Sequence, residues 1–89
     1  MKHTTSFVVT GRVQGVYFRK YTQNKAISLA LSGWVQNSAS GQVVGEVSGE
    51  RNALEEFKEW LHHGSPLAKV EVVEWKKINP KAFDGFVIK

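Results

Sequence analysis

Ala53, Leu54, Phe57, Trp60 and Leu61 fall on one face of a helix, and Glu55, Glu56, Lys58 and Glu59 fill the other. An apolar stripe of that width must be covered by a second layer. The segments around it have a different period. Ser6–Gln14 alternates weakly and is rich in Val and Phe, Gln42–Ser48 carries Val43 and Val47 on one face, and Ala68–Ile78 is a long extended run. All three read as strands. His62-His63-Gly64 closes the striped helix, and Ser65-Pro66 prevents its continuation. Its start is less marked, with Glu50 and Asn52 both suited to a first turn.

A first helix is expected over Arg19–Leu31, a stretch without Pro or Gly in which Phe18, Thr22, Ala26 and Leu29 share a face. Ser32-Gly33 is expected to end it. Trp34–Gln36 reads as a short strand, Asn37-Ser38-Ala39-Ser40-Gly41 has the composition of a turn, and Gln42–Ser48 returns as the second arm of a hairpin. Asn79-Pro80 breaks the long strand, and Phe86–Ile88 reads as a short final one. The order β-α-β-β-α-β describes an α+β chain, a ferredoxin-like split β-α-β sandwich with an antiparallel sheet and two helices on one face. Residues 1–89 suffice for one such domain and one core. That fold hosts enzymes, carriers and RNA binders alike, so function must be sought in a site.

Composition narrows the choices. The chain has no cysteine, hence no disulfide framework and no thiol chemistry. It has no apolar run long enough for a membrane helix or a signal peptide, which points to the cytoplasm and away from a membrane partner. Net charge is +4, favouring anionic partners. The basic residues are scattered, with Lys76, Lys77 and Lys81 the densest group, so no nucleic acid is expected as partner. His62 and His63 have only Glu59 near them in sequence, too few ligands for a metal, and no cofactor is expected. Trp34, Trp60 and Trp75 are read as packing residues rather than stacking platforms.

One short stretch carries chemistry. Gln14-Gly15-Val16-Tyr17-Phe18-Arg19 joins the first strand to the start of the first helix. Helix starts hold unpaired N–H groups and a partial positive charge. Gly15 permits the left-handed backbone with which successive amides converge on an anion. Arg19 adds a planar charged fork suited to phosphate oxygens.

A second stretch, Gly33 to Gly49, gives this loop a context. Val9, Gly11, Val13, Gln14, Gly15, Val16, Phe18 and Arg19, together with Gly33, Trp34, Val35, Asn37, Gly41, Val43 and Gly49, closely resemble the acylphosphatase family in identity and spacing. A weaker likeness runs through Trp60-Leu61, Gly64-Ser65-Pro66 and Phe86–Lys89. Departures are Ala30 where the family often has glycine, Gln36 for a basic residue and Ser40 for an aspartate, while Tyr17 stands at a variable position. The resemblance implies a monomeric, metal-independent hydrolase without cofactor. Its substrate would be a small acyl phosphate and its products a carboxylate and inorganic phosphate. Arg19 and Asn37 would be the catalytic residues, and Gln14, Gly15, Val16, Tyr17, Phe18 and Arg19 the substrate-binding loop. An amide oxygen is a poor base, so Asn37 would orient a water rather than deprotonate it. The alternative is a non-catalytic anion- or RNA-binding module on the same fold.

Overall fold

A computed structural model describes residues 2–89. The chain runs β1 (Lys2–Arg12), α1 (Phe18–Ser28), β2 (Ser32–Asn37), β3 (Val43–Glu50), α2 (Arg51–His63), β4 (Lys69–Ile78) and β5 (Phe86–Ile88). The sheet order is β4-β1-β3-β2-β5. The four longer strands pair antiparallel, as the split β-α-β pattern requires, and the short β5 adds to β2 in parallel, making the sheet mixed.

The register sorts side chains between the two faces. Phe7 lies opposite Gly45 and Trp75, Val9 opposite Val43 and Val73, and Val35 opposite Gly45. These residues face the helices. Phe57 of α2, fully buried, sits at ring distances of 5.6 Å from Phe7, 6.4 Å from Trp75 and 6.1 Å from Phe86. Burying such a ring is worth about 1.5–3 kcal/mol. Gly45 leaves the space that the Phe7 ring fills, since a Cβ there would meet it at 2.5 Å. Phe18 of α1 packs on Trp60 of α2 with ring centroids 5.7 Å apart, so both helices share this layer.

The outer face is polar. The Trp34 indole N–H donates to Glu46 at 3.1 Å, Lys81 Nζ donates to the same carboxylate at 2.9 Å, and Lys89 Nζ lies 4.7 Å from the Trp34 ring centre. Trp60 and Trp75 pack against the core, whereas Trp34 covers the sheet from outside. The hydrogen bond from Lys81 holds the Glu46 carboxyl below its usual 4.5, with burial opposing and Trp34 adding to the effect.

The first helix ends earlier than its sequence implies. It stops at Ser28, with Ala30 left-handed at φ 57. Leu31 N bonds to Ala26 O at 2.9 Å and Ala30 N to Ile27 O at 3.0 Å. This is a Schellman stop, and both Leu31 and Ala26 are buried in the core. Gly33, expected as the terminator, lies inside β2 at φ 145, where a Cβ would collide with the Glu46 carbonyl. Periodicity missed this because an alanine takes the place of the usual glycine.

Ala30→Gly should raise stability by about 0.5–1 kcal/mol, read as a higher urea midpoint at unchanged slope, because a left-handed alanine costs about 1–2 kcal/mol and glycine's looser unfolded chain takes back part. Glu46→Gln should destabilise at neutral pH. A carboxyl held low when folded contributes above 4.5 and loses that contribution as pH falls through the lowered value. The gap between variant and wild-type midpoints should therefore close in acid; a constant gap would place its origin elsewhere.

Candidate active site

Because β1 and β2 both run antiparallel to β3, they run parallel to each other, and their C-terminal ends lie at the same end of the sheet. The loop leaving β1 and the last residue of β2 meet there. Asn37 pairs with Val43, which pairs with Val9, so these three face the helices together. The sequence placed Asn37 in a turn; it is instead the final residue of β2 and faces inward like Val35.

The loop has the backbone of an anion nest. Between β1 and α1 only Gly15 (φ 73) and Tyr17 (φ 60) have positive φ, so the sign of φ alternates along the segment. That alternation turns successive N–H groups to one side. No atom lies within 4 Å of a Cβ at Gly15, so its dihedral alone demands glycine. Tyr17 is the N-cap of α1, and no side chain caps the amides that follow. Tyr21 N, bonded to Tyr17 O at 3.1 Å, begins the helical ladder, which leaves the amides of Phe18, Arg19 and Lys20 without intrahelical acceptors. The first turn has no acidic residue. Arg19 stands where a helix otherwise favours a carboxylate, and it makes no ion pair among the described residues.

Val13, Gly15, Tyr17, Phe18, Arg19, Lys20, Asn37 and Ile88 line one open cleft of about 390 Å³. Arg19 and Asn37 are thus brought together. Phe18 lends only its backbone, since its ring is buried. Among the described residues, two cations and no carboxylate or imidazole border the cleft. Asn37 Oδ1 is buried without a hydrogen-bond partner among the described residues, an acceptor that calls for a donor in the cleft.

Gln14 and Val16 lie behind the loop. Gln14 Nε2 donates to Ser38 O and to Gln42 O, both at 2.9 Å, tying the loop to the β2–β3 hairpin. The Val16 side chain is buried, and its carbonyl accepts from Ser65 Oγ at 2.8 Å. Ser65 in the loop after α2 is a positioning residue that the sequence marked as a helix stop and as part of the weaker family likeness, with no role in the site. Lys20 and Ile88 were not anticipated as lining residues; the position after Arg19 was the available signal for Lys20, and Ile88 stood only in the final strand and the weaker family likeness. A second cleft of about 320 Å³ lies at the opposite end of the same sheet face, among residues including His3, Arg51, Trp75 and Lys77. Among the described residues, no group of three or more His, Cys, Asp or Glu could hold a metal ion, and no helix is long and apolar enough to cross a membrane.

The acylphosphatase family profile matches residues 5–88. The acylphosphatase of Natronomonas pharaonis is 43% identical over 81 residues, covering 91% of this chain and 88% of that relative. The structure of an acylphosphatase from Coxiella burnetii superposes with a TM-score of 0.96 at 36% identity, covering 99% of this chain and 93% of the other. That from Bacillus subtilis gives 0.95 at 36% identity, with coverage of 100% and 99%.

Ser65→Ala should cost about 1–2 kcal/mol in denaturant unfolding, because the buried Val16 carbonyl loses its donor. A change below about 0.5 kcal/mol would mean the carbonyl is satisfied in another way.

Proposed function

This chain belongs to the acylphosphatase family of enzymes, and we propose that it hydrolyses small acyl phosphates by direct attack of a water on phosphorus. The observation that carries this mechanism is the orphaned Asn37 Oδ1 in a cleft it shares with Arg19 and the Gly15–Arg19 backbone.

The chemistry asks little beyond placement. A carboxylate leaves readily, so no strong general acid is needed. Phosphoryl transfer is catalysed mainly by positioning and by matching the charge of the transferring group. Arg19 and the loop amides hold the phosphoryl oxygens. Asn37 Oδ1 accepts a hydrogen bond from the water and aims its oxygen at phosphorus. As the new P–O bond forms, the bond to the bridging oxygen breaks and its electron pair leaves with the carboxylate. One proton of the water stays on the incoming oxygen, and the other passes to a second phosphoryl oxygen. An acyl phosphate dianion and water thus become a carboxylate and dihydrogen phosphate. Among the described residues, those bordering the cleft include no carboxylate or imidazole, which supports proton acceptance by the substrate itself. The protein is proposed to act as a monomer in the cytoplasm, without metal or cofactor.

The rival RNA-binding reading finds little support on the sheet's outer face. Trp34 on that face is engaged by Glu46 and Lys89, and Glu46 puts a carboxylate at the middle of the surface where bases would stack.

Phosphate release from acetyl phosphate in excess EDTA tests the reading. Arg19→Gln and Asn37→Ala should each lower kcat by at least about 10²-fold while the circular dichroism spectrum is retained. An unfolded Arg19→Gln would make Arg19 structural, and activity lost with EDTA would overturn the metal-free reaction. The wild-type rate should be flat from pH 6 to 8; a limb following a histidine would sink the proton route.

A further inference from the structure

The cleft of about 320 Å³ at the far end of the sheet draws on three elements: His3 and Thr5 of β1, Trp75 and Lys77 of β4, and Arg51 at the start of α2. Thr5 pairs with Lys77 and Phe7 with Trp75, so these side chains share the helix-facing side. Arg51 and Lys77 are exposed and make no ion pair among the described residues. Arg51 opens a helix whose first turn holds no acidic residue, and Glu55 is the one carboxylate on the cleft border among the described residues. The N–H groups of that first turn have no intrahelical acceptors. Thr5 gives an independent sign. It is only 4% exposed, it lines the cleft, and its hydroxyl has no hydrogen-bond partner among the described residues. Its neighbour Thr4, on the other face, is bonded to Ser48 Oγ at 3.1 Å and to Lys81 N at 2.9 Å. A buried hydroxyl that opens on a cleft without a partner asks for one from a ligand.

We infer that this cleft is a second anion site, separate from the candidate active site, and that it takes a phosphate monoester bearing a flat apolar group. Phosphate offers three terminal oxygens, and the cleft offers donors from three elements. Arg51 and Lys77 match its charge, the Thr5 hydroxyl donates to one oxygen, and the first turn of α2 adds the positive end of its dipole. Two cations against the carboxylate of Glu55 suit a single phosphoryl group better than a polyphosphate chain. Trp75, half-buried on the same border, gives the apolar part a ring to pack on. None of these residues borders the cleft that holds Arg19 and Asn37, so the inference does not rest on the acyl-phosphate reading.

The test titrates phenyl phosphate into isotope-labelled protein and follows the amide signals of the first turn of α2 and the indole signal of Trp75 by NMR. The Arg19→Gln protein is titrated beside wild type, because binding at the active site is weakened there and the second site is untouched. Both proteins should show saturable shifts at Trp75 and in the first turn of α2 with the same Kd. Arg51→Gln, Lys77→Gln and Thr5→Val should each raise that Kd by about threefold or more, the scale of one charged or hydrogen-bonded contact near a surface. Thr5→Val keeps the shape and removes only an unpartnered hydroxyl, so its urea midpoint should stay level or rise while its affinity falls. Inorganic phosphate should bind several-fold more weakly than phenyl phosphate. Shifts confined to the β1–α1 loop and lost in Arg19→Gln would overturn the second site. So would an unchanged Kd in Thr5→Val together with Arg51→Gln. Equal affinity for the two probes would overturn the assignment of an apolar group to Trp75.

Discussion

The site depends on one amide group. Gln14 Nε2 reaches two carbonyls of the β2–β3 hairpin, Ser38 O and Gln42 O, and so fixes the loop leaving β1 relative to the end of β2. Gln42 O also closes the hairpin by accepting Ser38 N at 2.8 Å. A carbonyl has two lone pairs, and here one sets the turn while the other holds the loop. Ser65 grips the loop through Val16 from below. The groups that meet a ligand are thus carried by backbone whose position is set by residues that face away from it. Such support from behind keeps a preorganised site within the tolerance its chemistry needs.

The two faces of the sheet have separate roles. The inner face carries the core, from Phe7 and Val9 through Val35 to Phe86. Asn37 continues its line to the point where the helices no longer cover it. The outer face closes itself with charge: Glu46 draws in Lys81 and Trp34, and Lys89 completes the cover over the indole. The basic residues are thereby divided. Lys76 and Lys77 alternate between faces and Lys81 is neutralised, so the densest positive run in the sequence makes no common surface.

The sequence was most informative where local pattern and tertiary role coincide. Leu54, Phe57 and Leu61 are buried as their spacing implies, and Gly15 occupies the left-handed position expected for it. The family resemblance singled out Arg19 and Asn37 together, and the two border one cleft. Misreadings occurred where a residue's role is set by a neighbour distant in sequence. Gly33 resembles a helix stop until β3 approaches its α-carbon, and Asn37 resembles a turn residue until β2 is seen to extend to it. Ser65 and Ile88 stood in the weaker stretches of the family likeness without a role, since one acts through a carbonyl on another loop and the other arrives on β5, whose parallel pairing no periodicity reveals.

The strand order also has a consequence for biosynthesis. β1 is made first, yet it lies between β3 and β4. During translation one of its edges stays unpaired until residues 43–50 have left the ribosome, and the other until Lys69–Ile78 has followed. A strand carrying Phe7, Val8 and Val9 with open edges is a template for pairing with another chain. The interval before β4 emerges is therefore when a nascent chain is most exposed to association with its neighbours.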